Sequence, residues 1–75
     1  MTEEKAKDVA KDTAVMLGTA YCVVRDHPID GEFAPYRRSY VENRLYLGEI
    51  DQWQVVAAYG PDGEEMDLKL ISAFN

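Results

Sequence analysis

The sequence predicts an α+β domain: one N-terminal helix packed on a three- or four-stranded antiparallel sheet that ends in a β-hairpin. Three observations predict it. Apolar residues recur at helical spacing through the first quarter of the chain. Two strand-like runs, Trp53–Tyr59 and Glu64–Ile71, flank the turn tetrapeptide Gly60-Pro61-Asp62-Gly63. Finally, 75 residues with 47% apolar content and eight aromatics suffice for one core and are too few for a second domain. Residues 1–75 therefore read as a single small domain.

Thr2 is placed to cap the helix, with Glu3 and Glu4 in the first turn, where the positive end of the helix dipole favours acids. Ala6, Val9, Ala10, Thr13, Leu17, Ala20, Tyr21 and Val24 fall on one stripe at 100° per residue, opposite Lys7, Asp8, Lys11 and Arg25. The stripe stays in phase to Val24, which favours one helix over residues 3–25. The competing reading ends the helix at Gly18, a natural left-handed cap, and makes 19–25 a strand, because Thr19, Tyr21, Cys22, Val23 and Val24 all suit one.

Asp26 to Gly31 reads as a loop, since Pro28 disfavours a helical His27 and Asp30-Gly31 is turn chemistry. Tyr36–Val41 reads as an edge strand or irregular segment and Glu42-Asn43 as a tight turn. Arg44–Glu49 and Trp53–Tyr59 follow as strands, with Ile50-Asp51 at the bend. Trp53–Tyr59 is apolar on both faces, the pattern of a central strand. Gly60-Pro61-Asp62-Gly63 fits a type I turn whose closing glycine takes positive φ in a bulge. Met66, Leu68 and Leu70 then alternate with Asp67 and Lys69, which predicts one buried and one wet face.

Charge is unevenly placed. Residues 45–75 carry six acids against Lys69 alone, while residues 1–44 nearly balance, with eight acids and seven bases; the net charge is −6. That balance argues against phosphate backbones and anionic membranes and suits a protein partner with a basic surface. No apolar run reaches the roughly 18 residues that span a bilayer, and the mixed-charge N-terminus is not a signal peptide. The single cysteine, Cys22, points to a reducing, cytoplasmic setting. A chain of this size buries only about 60–65% of its unfolded surface, so a partner or a second copy would add to its stability.

Catalysis needs a nucleophile or metal, a base and an orienting group. Cys22 and His27 lack a third member, and Asp26, His27, Asp30 and Glu32 match no metal-ligand spacing. The sequence implies no enzyme, cofactor or metal. Asp62, Glu64, Glu65 and Asp67 do not form a calcium loop and read as a solvated hairpin tip or a recognition surface for Lys and Arg, with Asp51 and Trp53 as further partner-binding candidates. Tyr46, Tyr59 and Phe74 suit either an interface or the core. Tyr36, Arg37, Arg38 and Tyr40, followed by Arg44 and Tyr46, interleave bases with aromatics. Nucleic-acid platforms have that composition, but with so few bases the expected role is guarding a strand edge and stacking on tyrosines.

Gln54-Val55-Val56-Ala57 is similar to the start of the hairpin motif of cystatin-type protease inhibitors. The motif's closing glycine is Ala58 here, and the run sits inside a strand rather than at a loop tip, so the match covers a handful of residues and implies no activity. In size, acidity and lack of catalytic groups the chain resembles the small inhibitors that phages deploy against host defence or transcription machinery. That resemblance implies an inhibitor or regulator of a larger, nucleic-acid-handling protein, without direct nucleic-acid contact. The alternative is a structural or homodimer-forming subunit.

Overall fold

The computed structural model describes residues 1–27 and 32–71, the side chains of Asp26 and His27 excepted. Helix α1 spans Glu3–Leu17. Thr2 caps it, its Oγ1 accepting the Lys5 N–H at 3.2 Å. Gly18 ends it at φ 65°, its N–H donating to the Ala14 carbonyl. The long-helix expectation is therefore corrected: residues 21–27 are a strand. The left-handed cap interrupts the helical ladder, and the β-branched and aromatic run after it prefers extended backbone.

Strand β1 (Tyr21–His27) is the centre of a three-stranded antiparallel sheet, with β2 (Glu32–Arg37) on one side and β3 (Val55–Tyr59) on the other. The β1–β2 register runs from Tyr21 opposite Arg37 to Arg25 opposite Phe33. On the other side Tyr21 faces Tyr59, and a bulge shifts the pairing so that Val24 faces Val55 and Val56 is left over. The expectation that β3 is central is overturned; it is an edge strand whose two faces are both covered.

Both sheet edges carry partners. Along the outer edge of β2, Phe33 donates its N–H to the Met1 carbonyl at 3.0 Å, and Pro35, two residues on, has none to offer. Along β3, the Ala58 carbonyl accepts the Met66 N–H at 2.8 Å and Tyr59 bridges Glu65.

Alternation along β1 splits the core into two layers. Tyr21, Val23, Ala57, Tyr59, Phe33 and Val56 pack under α1, whose Ala6, Ala10 and Ala14 are fully buried. Three alanines in one line let the helix approach the sheet closely, and Leu17, expected on the buried stripe, is half exposed. On the opposite face Cys22, Val24, Val55 and Ala58 pack against Val41, Ile71 and the half-buried Leu45, Ile50, Met66 and Leu68.

That second layer is where the sequence reading departs most. Residues Arg38–Tyr46 form helix α2, not an edge strand, a Glu42-Asn43 turn and the start of a strand at Arg44. The Arg38 N–H still bonds the Ala20 carbonyl at 3.0 Å, as a last rung of the sheet, before the chain turns helical. An Arg38–Glu42 pair one turn apart then supports the helix, and Val41 seats it on the sheet. The predicted bend at Ile50-Asp51 leads into a 3₁₀ turn, Gln52–Gln54, rather than directly into a strand.

The turn at Gly60–Gly63 forms as expected: Gly63 N–H to Gly60 carbonyl at 2.9 Å, Gly63 at φ 82°, and Gly60 N–H to Glu64 carbonyl at 2.9 Å. Its second arm does not continue as a strand. After the Tyr59–Glu65 bridge, Asp67 opens a 3₁₀ turn, Leu68–Leu70, and Leu70 is exposed while Ile71 is buried, the reverse of the expected alternation. The sheet's hairpin is β1–β2 instead. The loop expected over residues 28–31 and the role of Phe74 lie outside the described residues.

Candidate functional site

The turn at Gly60–Gly63 lies against the C-terminal half of α1. A Cβ placed on Gly63 would sit 2.9 Å from Val15 Cγ2 and 3.7 Å from Lys11 Cε, so only glycine fits at this contact. Lys11 and Val15, one turn apart on α1, are the helix residues that lie beside the turn. Tyr59 joins the two elements electrically. Burial raises its pKa first, then the charges of Glu65, Asp8 and Glu3, with Lys7 opposing them. Glu65 of the hairpin and Glu3, Lys7 and Asp8 of the helix thus share one electrostatic neighbourhood around Tyr59, with Lys7 paired to Glu3 at 3.0 Å within it.

Asp62, Glu64, Glu65 and Asp67 are all exposed, but they do different work. Asp62 Oδ1 accepts the Glu64 N–H at 3.0 Å, and Asp67 Oδ1 accepts the Lys69 N–H at 2.9 Å. Both aspartates pin the backbone while presenting a second oxygen outward. Exposed apolar area sits next to them: Val15 is 54% exposed. Sequence reading placed the acids in the hairpin and at Asp51, and missed Asp8 and Val15 of α1. Their helical spacing was the available signal, but nothing local shows which flank of a helix a distant turn will meet.

Asp51 and Trp53 do not join this group. They precede β3 whereas the hairpin acids follow it, and five strand residues separate the two ends by about 13 Å. Asp51 belongs to the capping box of the 3₁₀ turn, its N–H donating to Gln54 Oε1 at 2.8 Å. Its Oδ2 accepts from Trp53 Nε1 at 3.3 Å, and the Trp53 ring stays half exposed.

The basic-aromatic group is drawn into the fold. Tyr36 and Tyr40 stack with ring centroids 5.1 Å apart and planes at 22°, and the Arg44 guanidinium lies 4.8 Å above the Tyr40 ring. Arg44 also pairs with Glu49, which raises its pKa. Arg38 is held by Glu42 at 3.0 Å and donates Nη2 to the Leu70 carbonyl at 2.8 Å. Arg37 is exposed, with no ion pair among the described residues. The stack walls a cleft of about 140 Å³ lined by Val24, Tyr36, Tyr40, Val41, Arg44 and Ile50, on the α2 side of the sheet and so away from the acidic surface.

Cys22 is fully buried, and burial pushes its thiol up to about 11, the reverse of what a nucleophile needs. Its Cα lies about 16 Å along β1 from that of His27, too far for a catalytic pair. The grouping of Asp26, His27 and Asp30 falls outside the described side chains, and Glu32 is exposed. No described helix is long and apolar enough to cross a membrane. Comparison with protein-family models, curated proteins and solved structures finds no match to this chain.

Proposed function

We propose that this chain is a small acidic, non-enzymatic binding protein. It acts as an inhibitor or regulator that occupies a basic surface of a larger, nucleic-acid-handling protein in the cytoplasm, in the manner of phage-encoded anti-defence inhibitors. The observation that carries the reading is the meeting of the acidic hairpin turn with α1 at the exposed Val15, with Glu65 and Asp8 both acting on Tyr59. An apolar centre inside a charged rim is the usual anatomy of a recognition patch. The aspartate side chains that hold the turn fix the charges before any partner arrives, which lowers the ordering cost of binding.

The test is capture from host extract by the full chain, compared with a Glu64→Lys/Glu65→Lys variant that spares the turn. The expected result is a partner retained by the wild type and lost by the variant, with affinity falling as salt rises from about 50 to 400 mM. Equal capture by both proteins sinks the proposal.

A self-associating subunit is the second reading, favoured by the exposed Met16 and Leu17 on α1 and Tyr46 and Leu47 at the end of α2. Light scattering separates the two readings: a homodimer at micromolar concentration favours the second.

A further inference from the structure

We propose that the cleft between α2 and the sheet binds one aromatic ring bearing a carboxylate. Its size sets the ring. At about 140 Å³ it matches the roughly 150 Å³ cavity that holds benzene and falls well below the 300 Å³ or more of a drug-sized site, so a nucleoside does not fit. Its walls set the preference for a flat, apolar group. Val24 and Val41 are buried beneath it, Ile50 closes one side, and the Tyr36–Tyr40 stack closes the other.

Its charge sets the carboxylate. Arg44 is the one ionised side chain among the described lining residues, and its guanidinium, shared with the neighbouring Glu49, is the cation a ligand in the cleft would meet. Tyr40 holds the guanidinium, 4.8 Å from its ring centroid, and the Glu49 bond uses Nη1 out of five N–H donors, so donors remain beyond the Tyr40 and Glu49 contacts. Both partners of that pair are well exposed, so it is weak and yields to a competing carboxylate inside the cleft. Two sources carry this chemistry: a free aromatic acid, or a phenylalanine or tyrosine at the C-terminus of another polypeptide. The site is independent of the acidic surface on the other side of the sheet.

The experiment is amide NMR titration of the full chain with phenylacetate, benzylamine, cyclohexylacetate and N-acetyl-glycyl-phenylalanine. The expected result is saturable, low-millimolar phenylacetate binding centred on Val24, Val41 and Ile50, with benzylamine and cyclohexylacetate about tenfold weaker or more. If N-acetyl-glycyl-phenylalanine binds more tightly than phenylacetate, the source is a polypeptide end; if less tightly, a free acid. Arg44→Gln should keep the fold and lose the preference for phenylacetate over benzylamine, and Tyr40→Leu should weaken every ring. No saturation by about 20 mM, shifts centred elsewhere, or an unchanged preference in Arg44→Gln each overturns the proposal. So does much tighter phenylacetate binding by Phe74→Ala, which would assign the cleft to the chain's own ring.

Discussion

Arg38 Nη2 donates to the Leu70 carbonyl at 2.8 Å, tying the first turn of α2 to the end of the chain across 32 positions. Beyond the Met66 N–H to Ala58 carbonyl bond the segment has no strand pairing among the described residues, so the Arg38 bond, the half-buried Leu68 and the buried Ile71 keep it on the sheet.

Arg38→Ala is expected to cost about 1–2 kcal/mol, the range for hydrogen bonds to a charged donor on a partly exposed side chain. Arg38→Lys should recover only part, because a single ammonium does not match the forked reach to Glu42 and Leu70. Urea denaturation measures the loss, and amide exchange should show it concentrated in residues 66–71.

Gly63→Ala meets two obstacles that a double mutant separates. The left-handed backbone at φ 82° costs about 1–2 kcal/mol, and the new Cβ would sit 2.9 Å from Val15 Cγ2. In a Val15→Ala background the steric part vanishes and the backbone part stays. Gly18→Ala, at φ 65° with nothing within 4 Å, supplies the backbone cost alone. Equal costs for Gly63→Ala in both backgrounds would show that the turn does not press on α1.

Asp62→Asn keeps an oxygen to accept the Glu64 N–H, whereas Asp62→Ala removes it. The expected outcome is near-neutral stability for asparagine and a loss of about 1 kcal/mol for alanine, read by thermal unfolding. Both should weaken partner binding, since both remove the charge, and that separates the structural role of Asp62 from its electrostatic one.

Cys22 should resist thiol reagents at pH 8 in the folded protein and react freely in urea. Its folded pKa, near 11, lies above the ordinary thiol value of 9. The folded state therefore holds its proton more tightly than the unfolded state. The resulting stability is complete below pH 9 and lost as pH rises through 11, and Cys22→Ala should remove that part of the alkaline decline.

The sequence reading located the helix start, the turn at Gly60–Gly63 and the fold class, because each rests on local chemistry that packing leaves alone. It misjudged the helix end because Leu17, Ala20, Tyr21 and Val24 satisfy helical spacing although Tyr21 and Val24 belong to a strand and face opposite layers. Helix α2 escaped notice because Val41 is its one buried residue, and Tyr40, Val41 and Tyr46 favour strands. Its legible marks were the Arg38–Glu42 spacing, the four-residue steps from Tyr36 to Tyr40 to Arg44, and Gly48, which takes φ 74° just beyond the helix. The cleft was not legible at all, since Val24, Val41 and Ile50 meet only in three dimensions.

Pro35 and Met1 on one side of the sheet and Met66 on the other leave a copy of this molecule little backbone to grasp. Encounters between copies are then governed by like charge at long range. In concentrated solution the chain should behave as a repelling colloid, with a positive second virial coefficient that shrinks as added salt shortens the Debye length.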